Sequence, residues 1–107
     1  MPIMIAEIIA SDFPTKDRSK VADLHDPLDA ICSYYGIERR SNFSAYNPSE
    51  REEVLGGERY RFHMYLSKRV EDFYTFHLLL MTLKAIVDLW NSQRKPLRCT
   101  LDIQTQE

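Results

Sequence analysis

The residues whose types and spacing suit chemistry gather in one segment of this chain. From Arg59 through Tyr60, Arg61, Phe62, His63, Met64, Tyr65 and Leu66 to Ser67, polar and apolar residues alternate. An extended backbone therefore sets Arg59, Arg61, His63, Tyr65 and Ser67 on one face and Tyr60, Phe62, Met64 and Leu66 on the other. Guanidinium groups at two-residue spacing pair with phosphate or carboxylate oxygens, and an aromatic ring beside them stacks on a base. This face thus has the makings of an anion or single-stranded nucleic-acid platform, which Arg39 and Arg40 would join if residues 37–46 pair as the neighbouring strand. The plainer alternative is a solvated face whose arginines pair with Glu38, Glu58 and Asp102. The segment also lacks the glycine–aromatic pattern of sheet-based RNA readers.

A second constellation is the set of histidines, His25, His63 and His77, with Asp26 and Asp29. Metal binding or acid–base work needs these groups to converge. Yet His25 precedes a helix start, His63 belongs to a strand and His77 to the polar stripe of a helix, and no two are set at a ligand spacing. No metal and no cofactor are expected from them. The chain has no glycine-rich phosphate loop, no GxSxG and no Cys-His nucleophile spacing, which leaves an enzyme as the minority reading. Cys32 and Cys99 show no CxxC pattern and read as reduced, buried, small hydrophobes.

The elements that must position these residues are clearest in the last third. The alternating segment above runs into an apolar helix, Glu71 to Trp90, and that into a second alternating strand, Leu97 to Ile103, with Leu97, Cys99, Leu101 and Ile103 inward. On the helix, at about 100° per residue, His77, Lys84, Asp88 and Asn91 form one narrow polar stripe. The apolar arc is wider than a single sheet contact requires, so a surplus around Leu78, Ala85 and Leu89 is expected to meet another helix or a second subunit. At the start, Ile3 to Ala10 is a β-branched-rich run closed by a turn at Ser11-Asp12-Phe13-Pro14, apolar on both faces as a central strand would be. Val21, Leu24, Leu28, Ile31 and Tyr35 then follow helical spacing. Pro27 interrupts it, which places the helix start at Asp26, with Pro27 first in the helix, Gly36 past its end, and residues 18–25 as a separate turn. Residues 41–46 alternate weakly and read as a strand, while Asn47-Pro48-Ser49-Glu50 with Arg51 to Gly57 resembles a short capped helix.

The order strand, helix, strand, strand, helix, strand is that of the split βαβ, ferredoxin-like sandwich. The expectation is a single α+β domain over residues 1–107, with a four-stranded antiparallel sheet and both helices on one face. The alternative has three strands, with residues 41–57 irregular. At 107 residues, 44% hydrophobic and 28% charged, the composition suits a soluble globular domain. A net charge of −2 with the signs interspersed does not suit a general nucleic-acid binder. The opening run is too short to span a membrane and lacks a basic leader, so no membrane association is expected and the protein reads as cytoplasmic.

Two further functional readings follow. The opening Met1-Pro2-Ile3-Met4-Ile5 resembles that of the tautomerase superfamily, and the resemblance implies Pro2 as an N-terminal base, with Arg39, Arg40, Arg59 or Arg61 holding an anionic substrate. The other is an interface. Met4, Ala6 and Ile8 on the first strand, Leu78 and Leu89 on the long helix, and a chain rich in tyrosine and phenylalanine point to non-catalytic binding of another protein or of a second copy, in the manner of small inhibitor or immunity proteins. A homodimer is the simplest such assembly.

Overall fold

The computed structural model describes residues 3–13, 18–46, 59–93 and 99–106. It holds strand β1 (Ile3–Phe13), a 3-10 turn (Arg18–Val21), helix α1 (Ala22–Tyr35), strand β2 (Glu38–Tyr46), strand β3 (Arg59–Arg69), helix α2 (Phe73–Gln93) and strand β4 (Cys99–Gln106). The strands form one antiparallel sheet in the order β2-β3-β1-β4, with the helices on one face, so the fold is the ferredoxin-like sandwich. β2 is a full partner of β3, which excludes the three-stranded alternative. The candidate helix over 47–57 and Pro2 lie outside the described residues.

Register assigns every side chain to a face. Ala6 lies opposite Leu66 and Ile103, Ile8 opposite Met64 and Leu101, and Ala10 opposite Phe62 and Cys99. Directly opposed residues share a face, so these are the helix-covered rows. Phe62, Met64 and Leu66 meet Leu24, Leu28 and Cys32 of α1 and Leu79, Leu83, Val87 and Trp90 of α2 in one core. Phe13 closes one end of it, 5.6 Å from Phe43 and 5.9 Å from Trp90 between ring centroids.

Three boundaries differ from the sequence reading. β1 runs on through Ser11 to Phe13, because its register against β3 shifts between Ala10 and Phe13 and the irregularity carries Phe13 into the core. α1 begins at Ala22, ahead of Pro27, which sits inside the helix. Proline removes one intrahelical N–H there, but Val21, Leu24 and Leu28 are all buried, and that apolar row holds the helix on the sheet through the lost bond. α2 starts after Asp72, whose carboxylate accepts from the Thr75 N–H at 2.6 Å and from the Thr75 hydroxyl at 2.7 Å, an N-cap not read from the sequence.

The other helix ends behave as their residues dictate. Gly36 takes the left-handed conformation, φ 67° and ψ 38°, and its N–H returns to the Cys32 carbonyl. At the far end of α2, the Asn91 side-chain amide donates to the Cys99 carbonyl at 2.8 Å and accepts from the Cys99 N–H at 2.6 Å, fixing where β4 begins.

Candidate functional site

The helix-free sheet face is built from the odd residues of β1 and β3 and the even residues of β2 and β4. Its rows read Glu38, Ser67, Ile5, Gln104, then Arg40, Tyr65, Glu7, Asp102, then Asn42, His63, Ile9, Thr100. Arg59, Arg61, His63 and Tyr65 therefore share one face, and Arg40 is beside them. Arg39 is on the opposite side, where its guanidinium Nε donates to Asp29 at 2.5 Å and its Nη2 to Ser33 at 3.1 Å, tying β2 to α1.

His63 is the best-organised side chain of this face. Its Nε2 lies 2.8 Å from Glu7 Oε1, and its ring is 4.5 Å from that of Tyr65. Both members of the pair are partly shielded, so Glu7 orients the imidazole. Carboxylates share these rows with the guanidinium groups: Glu7, Glu38 and Asp102 stand among Arg40, Arg59, Arg61 and Arg69, and Glu7 is directly opposite Asp102. A phosphate backbone laid here would meet repelling carboxylates among the attracting groups. A shallow depression of about 280 Å³ lies on this face between Ile5, Glu38, Arg40, Tyr65 and Ser67, and another of about 380 Å³ borders it at Ile3, Glu38, Ser67 and Arg69.

Met4, Ala6 and Ile8, expected to offer an exposed contact, are instead 0% exposed. They lie on the helix side, under the chain's own α1 and α2. Both parities of β1 are apolar, so alternation could not say which faced outward. The open parity is Ile3, Ile5, Glu7 and Ile9, each partly exposed.

α2 does carry the surplus apolar surface. Its buried row is Leu79, Leu83, Val87 and Trp90, and the diametrically opposite row is Tyr74, Leu78, Met81, Ala85 and Leu89, spaced four, three, four and four. On this outer row Tyr74 is 77% exposed, Met81 53% and Leu89 61%. Phe73 stands beside it, stacked on His77 with ring centroids 6.2 Å apart. α2 is long and apolar enough by composition to cross a membrane. In this fold one of its faces is the core of the domain.

The remaining candidates do not converge. His25 pairs locally with Asp26 at 3.0 Å, His63 with Glu7, and His77 stacks on Phe73. Among the described residues no group of three or more His, Cys, Asp or Glu is placed to hold a metal. Cys32 and Cys99 are both buried free thiols. Burial raises the pKa of each, that of Cys99 to about 12, and a thiol held protonated is a poor nucleophile.

No protein-family model and no curated protein matches the chain. Solved structures do. The designed protein Foldit4 superposes with a TM-score of 0.60 at 12% identity over the whole of both chains. A hydantoinase/carbamoylase family amidase from Burkholderia ambifaria gives 0.55 at 12% identity, over 99% of this chain and 28% of that one. An unknown protein from Galdieria sulphuraria gives 0.50 at 9% identity, over 98% of this chain and 51% of that one. At such identities these likenesses are of fold alone.

Proposed function

We propose that the protein works by binding another protein without catalysis, through the outer face of α2. The observation that carries this reading is the row Tyr74, Leu78, Met81, Ala85 and Leu89, exposed and directly opposite the row that builds the core. A helix on a sheet needs one apolar face, and a second one has no use in the stability of the isolated domain. The three- and four-residue spacing is that of a helix–helix seam, with Ala85 as a notch between Met81 and Leu89. The partner that fits is an apolar-seamed helix of another protein. A lipid surface fits less well, because Lys84 is the only fixed cation of α2 and its cap, while Glu71, Asp72 and Asp88 lie around the row.

The test is a photo-crosslinking residue introduced in the native host at Met81, with a control at Gln104 on the sheet face. A protein adduct formed at position 81, absent at 104 and lost on adding Leu78→Gln and Leu89→Gln, supports the reading. Crosslinking at 104 alone would move the contact to the open sheet. The nucleic-acid reading of Arg59, Arg61, His63 and Tyr65 has less support, since Glu7 occupies His63 and acids share the face. Titration with single-stranded oligonucleotides at low salt addresses it directly. For the tautomerase-like reading, nothing among the described residues adds support.

A further inference from the structure

The outer row of α2 is complementary to itself once its direction is reversed. Its members Tyr74, Leu78, Met81, Ala85 and Leu89 fall almost symmetrically about the peptide link between Met81 and Thr82. Against a second α2 running the other way, with this link on a two-fold axis, Tyr74 comes opposite Leu89, Leu78 opposite the Ala85 notch, and Met81 meets its own copy. All five members then find an apolar partner, and a large side chain meets the small one. Sliding the pair one turn either way leaves Leu89 or Tyr74 beyond the end of the opposing row.

The hydroxyls along this seam are already satisfied. That of Thr82, beside the axis, donates to the Leu78 carbonyl at 2.8 Å, and that of Ser92, at the end of the row, donates to the Leu89 carbonyl at 2.7 Å. Each is turned back on its own helix, so a dry contact closed over it strands no donor. The charges choose the direction. In a parallel pair Glu71, Lys84 and Asp88 would each come level with their own copies, like against like. In the reversed pair Asp88 comes within about one turn of the other copy's His77, on the same flank of the seam and twice per dimer. Both are exposed, and His77 stacks on Phe73 by its face, which leaves the ring edge free to donate.

The exposed part of the row amounts to roughly 500 Å² per copy. A pair therefore buries about 1,000 Å² before its polar flanks are counted, which reaches the size of a specific contact and falls short of an obligate dimer. We infer that α2 packs antiparallel on α2 of a second copy through this row, as a reversible homodimer of micromolar affinity. The inference rests on the reading of the row as a contact surface and adds its regulation: a partner's helix reaches the row only by displacing the second copy.

Sedimentation equilibrium of the purified chain tests it. The wild type should form a dimer that dilution reverses. Ala85→Glu should weaken that dimer about tenfold or more, since it sets a carboxylate against Leu78 twice. Ala85 is exposed, and an unchanged circular dichroism spectrum verifies the fold of the variant. Oxidation of an equimolar mixture of Tyr74→Cys and Leu89→Cys should give the mixed disulfide, while neither variant alone should crosslink, because its two copies of the new thiol lie about 20 Å apart. A wild-type chain that stays monomeric overturns the inference. So does a dimer indifferent to Ala85→Glu, or one in which either cysteine variant crosslinks to itself. The partner reading fails separately, when position 81 in the native host captures no protein other than a second copy.

Discussion

Replacing Met81 and Leu89 together by glutamine separates an exposed row kept for contact from one that stabilises the domain. Met81 is 53% exposed and Leu89 61%, so only about half of the first side chain and two fifths of the second are withdrawn from water. Full burial of such a side chain is worth about 1.5–3 kcal/mol, which makes their present burial worth roughly 0.7–1.4 and 0.6–1.2 kcal/mol. Glutamine keeps the first two carbons of either side chain in place and has nearly the same helix propensity. The double variant should therefore cost less than about 1.5 kcal/mol. Leu83 lies on the opposite side of the same helix at 0% exposure, and Leu83→Ala alone should cost about 2–5 kcal/mol. Urea denaturation followed by circular dichroism measures both, with an unchanged m-value as the sign that two-state folding persists. Should the double glutamine variant lose as much stability as Leu83→Ala, the outer row is part of the fold's own support, and the argument that it exists for a partner fails.

The other predictions concern the elements that hold these surfaces in place. Gly36→Ala should destabilise by about 1 kcal/mol, since the space around Gly36 is open and the cost is that of a left-handed residue bearing a Cβ; Gly36→Asn should lose less. Asp72 is held below the ordinary carboxylate value of 3.8, chiefly by the Thr75 N–H and then by the Thr75 hydroxyl. A depressed pKa stabilises the fold above the unfolded value and ceases to do so as pH falls through the folded one. The loss in melting temperature caused by Asp72→Ala should thus be full at neutral pH and shrink below about pH 4, read by thermal scans across an acid series. Burial raises the Cys99 thiol from 9.0 to about 12, so the folded state favours the neutral form. Stability is unaffected below pH 9 and falls as pH rises from there toward 12, and native-state alkylation of Cys99 at pH 8 should be far slower than in urea.

What could be read in advance followed from how many alternatives each residue pattern left. In β3 the contrast between Arg61, His63 and Tyr65 and Phe62, Met64 and Leu66 is strong at every step, and the observed faces match it. β4 behaves likewise, with Cys99 buried and Thr100 and Asp102 exposed. β1 is apolar at both parities, so alternation alone does not separate Met4, Ala6 and Ile8, which are buried under the helices, from Ile3, Ile5 and Ile9 on the open face. The missing information was register: once Ile8 is opposite Met64 and Ala6 opposite Leu66, their side follows from β3. Pro27 misled for a related reason, because a local rule about helix starts cannot weigh the burial of Val21 and Leu24 on the sheet. The Glu7–His63 pair lies beyond any sequence reading, since its members are 56 residues apart and meet only across a strand pairing.

The same reasoning ranks the surfaces. On the sheet face carboxylates stand among the guanidinium groups, Glu7 is held by His63, and Arg39 has been drawn off to α1. Such a face mixes attraction and repulsion for any single-sign ligand. Apolar surface cannot be satisfied in that way. Met81 and Leu89 can leave water only if another surface arrives, whereas water already solvates the polar side chains around them. Of the surfaces this domain presents, the outer side of α2 is thus the one on which association gains most, through its apolar area.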